Sequence, residues 1–303
     1  MNIEKMYSTI DTHVAGEAFR IVLQSTIVLN EDTIRANNEK LQTHFQAEKS
    51  ILLKEPRGHR DMHGCIVVPS DHAHFGLLFF NHDDNIQFKY SGLVATLTAL
   101  LETGNLQQNA ENIYTIETVA GIFQLHATIE NNEVIKVTLA TNQCSIHDKG
   151  EYKLITVDEK RDYLLFELPK SIEHLKVEYL SDINAWGKQT IKHFSKSNRL
   201  EGIIVIERDN SNPNKVRSLT YERDGTILRS PGYDTTLGLL SALQVENKSI
   251  TNIINTSIFN SHLEAKLDMN TKQIDITSEA FVTGIHQFVV DSDDPLHKGF
   301  LLK

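Results

Sequence analysis

The chain has 303 residues, 40% of them hydrophobic and 23% charged, with a formal net charge of −10 at neutral pH. That balance is ordinary for a soluble globular protein, and its acidic excess without any dense Lys/Arg cluster argues against nucleic-acid or anionic-membrane partners. The two cysteines, Cys65 and Cys144, make neither a disulfide framework nor a cysteine-based zinc site, the length favours two domains, and the first six residues carry no signal-peptide pattern, so the expected compartment is the cytoplasm.

In chain order, residues 7–13 and 16–23 read as two short strands around a glycine turn. Residues 30–50 read as one amphipathic surface helix, with Ile34, Leu41 and Phe45 at helical intervals and a start near Asn30 or Asp32. The turn-rich segment 55–64 leads into a buried strand at 65–69, then a strand at 73–80 and a turn at 81–85. A helix follows at 91–102. Leu93, Val94, Leu97, Leu100 and Leu101 form its stripe, while Ala95, Thr96, Thr98 and Ala99 leave almost no charged face, so it is a core helix that stops at Gly104.

Strands are expected at 113–118, 122–129, 134–140, 154–157 and 163–167, and a helix at 182–195 with Ile183, Trp186, Thr190, Ile191 and Phe194 on one side. Strands at 202–207 and 216–221, closed by an Asp224-Gly225 turn, precede a second nearly all-apolar helix at 234–243. Strands at 253–258, 263–270, 273–276 and about 279–290 complete the chain. Many strands and few helices give an α+β layout, and one apolar helix among strands in each half is the weak internal symmetry of a duplicated domain. Ser91-Gly92 and Ser230-Pro231-Gly232 mark the starts of those two helices. Unpaired N–H groups and the helix dipole make such starts good seats for a carboxylate.

Several strings, in order, carry a resemblance: Ile10-Asp11-Thr12-His13 with Gly16-Glu17 and Arg20; Glu55-Pro56-Arg57-Gly58-His59 with Asp61-Met62 and Gly64; Glu117-Thr118 with Ala120-Gly121; Arg229-Ser230-Pro231; Ala280-Phe281-Val282-Thr283-Gly284; and Asp294-Pro295 with Gly299-Phe300. End to end, the chain resembles the proline racemase family, which includes hydroxyproline epimerases and a dehydratase branch. The resemblance implies a diaminopimelate-epimerase-like fold: two pseudo-symmetric domains, each a barrel-like, mostly antiparallel sheet around a central helix. Residues 1–122 plus about 280–303 would form the first domain and 123–279 the second, with the last strand returning to the first domain. A small amino- or imino-acid-like carboxylate would sit between the two helix starts. The chemistry implied is cofactor-independent proton exchange beside a carboxylate, by two thiols on opposite faces of one carbon.

The chain departs from that pattern at the thiols. The family's Met-Cys-Gly-His is matched by Tyr90-Ser91-Gly92-Leu93, and its Asp-Arg-Ser-Pro-Cys-Gly-Thr by Leu228-Arg229-Ser230-Pro231-Gly232-Tyr233-Asp234. Ser91 and Gly232 therefore stand at the thiol positions, Leu93 and Leu228 where the family holds the substrate nitrogen, and Tyr233-Asp234 where it holds the carboxylate. Ser91 retains a side chain able to shuttle a proton, though serine is also a good helix N-cap. Asp234 reads as the cap of the second helix, and Tyr233 as filling the substrate's space. Gly92 and His59 complete the expected substrate-binding set, His59 also reading as a structural hydrogen-bonder. Cys65 reads as core, and Glu55 and Arg57 as a packing pair as much as a site. His72-Ala73-His74 would lie on one strand face, but no metal motif accompanies them, so no metal is expected. A two-thiol racemase is set aside on these grounds. The expectations are a divergent isomerase or dehydratase-type activity, or a catalytically inactive relative that binds a small molecule or pairs as a homodimer.

Overall fold

The structure is a computed structural model, and it describes residues 2–82, 88–194, 199–209, 211–223 and 225–301. Most of the expected 81–85 turn, the end of the expected helix at Ser195 and Asp224 of the 224–225 turn lie outside those residues. The chain divides into two compact units, Met1–Val137 with Glu279–Lys303, and Thr138–Ser278.

The first unit runs β1 (Ile3–Val14), β2 (Glu17–Gln24), α1 (Ile34–His44), α2 (Gln46–Leu53), β3 (Met62–Val68), β4 (Phe75–Phe80), α3 (Tyr90–Glu102), β5 (Ile113–Thr118) and β6 (Gly121–Glu130). β7 (Glu133–Asn142) carries the chain into the second unit. There follow β8 (Ser145–Asp148), β9 (Lys153–Thr156), β10 (Asp162–Glu167), α4 (Leu180–Phe194), β11 (Leu200–Arg208), β12 (Lys215–Glu222), α5 (Tyr233–Glu246), β13 (Asn252–Thr256), β14 (His262–Leu267) and β15 (Gln273–Ser278). β16 (Ala280–Asp291) returns to the first unit and pairs antiparallel with β1 along nearly its whole length.

The pairing rules of the two units are the same. The first has the order β16-β1-β2-β3-β4-β5-β6, the second β8-β9-β10-β11-β12-β13-β14-β15. In both, two antiparallel pairings are followed by a parallel, an antiparallel, a second parallel and a further antiparallel one. Each parallel pairing needs a crossover. α1 and α2 supply it between β2 and β3, and α4 between β10 and β11; the later crossovers are α3 and α5. The weak symmetry expected from two apolar helices is thus a repeat of topology.

Both central helices are buried as their composition requires. Every residue of α3 from Ser91 to Leu101 is buried, and so are Thr235 to Leu243 of α5. A helix with no polar face can form only where strands cover it on several sides. α5 packs on β8 and β9 and on β13, β14 and β15, strands from both ends of its sheet order. The fold class is α+β, dominated by sheet.

Two local expectations are corrected. Residues 30–50 are not one helix. Thr33, not Asn30 or Asp32, caps α1 by accepting the Ala36 N–H at 3.1 Å, and the chain breaks at Phe45 (φ −114°, ψ 32°) before α2. Asn37 explains the late start: it is buried and exchanges two side-chain bonds with the Glu31 backbone, each 3.0 Å, which hold that segment off the helix. His72 and His74 lie in exposed bends ahead of β4 rather than on a strand face. His74 is tied to Thr115 at 2.8 Å. Among the described residues no group of three His, Cys, Asp or Glu side chains is arranged to hold a metal, and no helix is long and apolar enough to cross a membrane.

The motif strings that carry the resemblance build scaffold in the first unit. Arg20 and Asp11 face each other across β1 and β2 in a two-bond ion pair of 2.6 and 2.9 Å. The remaining Arg20 nitrogen donates to the carbonyls of Leu52 (2.5 Å) and Arg57 (2.6 Å), and its guanidinium lies over the Phe288 ring. Arg57 in turn donates to the His297 carbonyl at 3.2 Å and faces Asp294 at 3.7 Å, rather than pairing with Glu55. The Glu55 backbone forms two bonds with Phe300. Gly58 is required by close approach, since a β-carbon there would stand 2.3 Å from the Leu53 carbonyl oxygen.

Candidate active site

The start of α3 is a cluster of charges around one carboxylate. Glu17 opens β2 on the same side as Phe19 and Ile21, which directs it inward beneath the helix. Ser91 donates from Oγ to Glu17 Oε2 at 2.6 Å. The Lys89 ammonium stands 3.0 Å and His63 Nε2 3.4 Å from Oε1. The Glu17 side chain is only 3% exposed. Burial alone would push its carboxyl up, but Lys89, His63 and Ser91 outweigh that and hold it well below the usual carboxylate range. Glu17 is therefore an anion that organises its neighbours.

Ser91 is not the helix cap. Lys89 occupies that position without a side-chain cap bond, and the Ser91 hydroxyl is turned onto Glu17. The Gly92 N–H bonds to the Lys89 carbonyl at 3.2 Å. Leu93 is fully buried in the core. His59 is half-buried in the loop before β3, and its carbonyl accepts from Met62 N–H and His82 Nε2, each at 3.1 Å. Cys65 lies buried on β3 with its thiol pushed up to about 12 by burial, so it is no reservoir of thiolate.

The start of α5 is built differently. Gly232 is the cap, with φ +74°, and its N–H bonds to Ser230 Oγ at 3.1 Å. A side chain here meets both the left-handed backbone and Leu228, whose Cδ2 would be 2.8 Å from a β-carbon. Asp234 does not cap the helix. Its Oδ2 accepts from Arg161 at 2.7 Å and from the Tyr163 hydroxyl at 3.0 Å, while Oδ1 is sealed from solvent. Burial first, then the Asp234 charge, push the Tyr163 hydroxyl well above its ordinary range, so it stays a donor. Tyr233 is buried and its hydroxyl pairs with Ser278 at the end of β15. Leu228 is half-buried and bonds through its N–H to Thr220.

The structure thus brings Ser91 together with Glu17, Lys89 and His63, and Asp234 with Arg161 and Tyr163. Sequence reasoning singled out none of those five partners as site residues. A signal existed for Glu17, an acid in phase with the buried residues of its strand. None existed for Lys89 or Arg161, whose partners lie far off in sequence.

With this geometry in place, the comparisons are direct. A family profile described as proline racemase matches residues 9–159. A trans-3-hydroxy-L-proline dehydratase of Bacillus cereus is 30% identical over 334 aligned positions, covering the whole of both chains. A proline racemase of Acetoanaerobium sticklandii is 27% identical over 99% of each. The crystal structure of a hydroxyproline epimerase from Agrobacterium vitis, with bound trans-4-hydroxy-L-proline, superposes with a TM-score of 0.79 at 19% identity, covering 100% of this chain and 96% of that one. The chain belongs to the proline racemase family. Its relatives include both epimerases and dehydratases, and its fold is theirs, the diaminopimelate-epimerase-like arrangement that the motif order implied.

Proposed function

We propose that this chain is a dehydratase-type member of its family, removing water from a small 3-hydroxy carboxylate with Ser91 as its proton-carrying group, and not a two-thiol racemase. The observation that carries this reading is the 2.6 Å bond from Ser91 Oγ to Glu17, set beside a glycine at the second thiol position. Inversion at a carbon needs one proton carrier on each face; elimination does not. In the trans-3-hydroxy ring acid named for the 30%-identical relative, the C2 hydrogen and the C3 hydroxyl lie on the same face. One group on that face can take the C2 proton and return it to the departing oxygen. The C2–C3 double bond forms as the C3–O bond breaks, and water leaves. As Oγ takes the C2 proton, its own hydrogen passes along the 2.6 Å bond to Glu17, and it returns to Oγ as the first proton is handed to the departing oxygen, so serine is never left doubly protonated.

The test is incubation in deuterated water with ring 3-hydroxy acids, trans-3-hydroxy-L-proline first among them, with their cis isomers and with L-proline. The expected result is an unsaturated ring acid from trans isomers only, lost in Ser91→Ala, with no D-proline formed. Inversion of L-proline, or neither elimination nor exchange from any acid, would overturn the reading. A second reading, a relative that binds without turnover, draws support from the acidity of Glu17, which makes it a poor final acceptor of a proton. Ligand-induced stabilisation without deuterium uptake would favour it. Association as a homodimer belongs to the same proposal, and sedimentation measures it directly.

A further inference from the structure

We infer that the free edge of β16 is the surface through which two copies of this chain associate: their Gly284–Val290 segments pair antiparallel about a two-fold axis at Gln287, making one continuous sheet. The inference rests on the homodimer reading and deepens it by naming the surface; it does not depend on the reaction catalysed.

β16 is 12 residues long and ends the strand order, so one edge is taken by β1 and the other has no strand beside it among the described residues. Such an edge offers unpaired N–H and C=O groups, and proteins that keep it single blunt it with a short strand, a charge, a proline or a bulge. β8, which opens the order of the second unit, is blunted in this way, being four residues long and ending on Asp148. β16 is not. Its register with β1 is unbroken from Gly284, opposite Asp11, to Val290, opposite Lys5, and both irregularities of the pairing fall outside that stretch. The seven residues Gly-Ile-His-Gln-Phe-Val-Val include no Asp, Glu, Lys, Arg or Pro.

The side chains point to what covers this edge. Ile285, Gln287 and Val289 lie on one face of the sheet, opposite Ile10, Ser8 and Met6 of β1. Phe288 and Val290, on the other face, pack with Tyr7 in the core. On the first face Ile285 is 70% exposed, Met6 51% and Val289 38%, an apolar patch at a sheet edge. The sequence of that face is self-complementary. With the axis at Gln287, Ile285 meets Val289 of the second copy and the two Gln287 amides meet each other, each with a donor and an acceptor to offer. Moving the axis by one residue sets Ile285 or Val289 against Gln287 and loses the match. No charge of one copy is set against a like charge of the other between Gly284 and Val290.

The experiment is sedimentation of the full-length chain across micromolar concentrations, with Gln287→Lys, Gln287→Glu and an equal mixture of the two. Gln287 is exposed, and unchanged thermal unfolding checks that each variant folds. The unaltered chain is expected to sediment as a dimer. Each variant places two like charges at the axis and should dissociate about tenfold or more readily. The mixture should recover the dimer, because opposite charges then face each other; only a residue that faces its own copy gives that recovery. A dimer unmoved by either substitution overturns the inference and leaves the homodimer reading standing. Weakening in both variants without recovery in the mixture overturns the axis at Gln287. A monomer at every concentration overturns the inference and the homodimer reading together.

Discussion

The two units place different chemistry on one frame. In both, a tyrosine opens the central helix and a polar side chain follows it: Tyr90-Ser91 in α3, Tyr233-Asp234 in α5. In both, that side chain is met by a charged residue at the start of the third strand of the repeat's sheet order, Glu17 opening β2 and Arg161 just ahead of β10. The signs are exchanged. In the first unit the strand supplies the anion and the helix a hydroxyl that can move a proton. In the second the helix supplies the anion and the strand a guanidinium that neutralises it. A repeated topology therefore keeps the positions of its contacts while one copy has a hydroxyl bonded to a buried carboxylate and the other makes a half-buried ion pair.

The sharpest way to break this comparison is to remove the mobile proton. Ser91→Ala is expected to lower the rate of elimination by about 10²–10⁴-fold, the usual range for a general acid–base group, with a loss of about 1–3 kcal/mol in unfolding because buried Glu17 loses that donor. A loss of similar size on changing Asp234→Asn, measured in the same assay, would show that both helix starts act chemically. The contrast between chemistry and scaffold is sharpened by Arg20→Met. That change leaves Asp11 charged and buried and removes the clamp on the Leu52 and Arg57 carbonyls, so denaturant unfolding should show a loss of about 3–5 kcal/mol.

Smaller effects follow at the second thiol position. Gly232→Cys restores the sulfur by sequence but not by shape, because φ +74° is unfavourable to any side chain and Leu228 stands in the way. A loss of about 1–2 kcal/mol is expected, with no gain of proline racemisation, read by thermal unfolding and polarimetry. The acid limb of stability tests Glu17. Its carboxyl is held below the ordinary value in the folded chain and returns to about 4.3 on unfolding. Its contribution is therefore fully present above about pH 4.3 and disappears as pH falls through the folded-state value. Glu17→Gln should flatten that limb, as measured by unfolding at a series of low pH values.

How much of this was legible in the sequence depends on range. The two central helices announce themselves, since a run such as Leu93–Leu101 has no face for water. The break at Phe45 does not, because Ile34, Leu41 and Phe45 keep helical spacing and neither Gly nor Pro marks the stop. The four residues of β8, Ser-Ile-His-Asp, have too little apolar alternation to read as a strand. The departures at Ser91 and Gly232 were visible, yet what they do was not. Ser91 meets Glu17 across 74 positions of sequence, and Arg161 meets Asp234 across 73. A side chain's partner at that distance is decided by sheet order, which residue types do not encode locally. The same blindness read Arg57 with Glu55, as a packing pair as much as a site, when its partners are His297 and Asp294 of the C-terminal tail.

That tail sets an order of events during synthesis. Thr138–Ser278 is continuous, so the second unit is complete once about residue 278 has left the ribosome. The first unit is not: β1 waits for β16, with Ile3 opposite Asp291, and the Glu55 backbone waits for Phe300. Until then one edge of β1 carries unpaired N–H and C=O groups, open to another nascent strand. Closing a span of that length is also slow compared with local pairing. A newly made chain thus passes through a stage in which its later-made half is folded and its earlier-made half, which carries Ser91, is still unfinished.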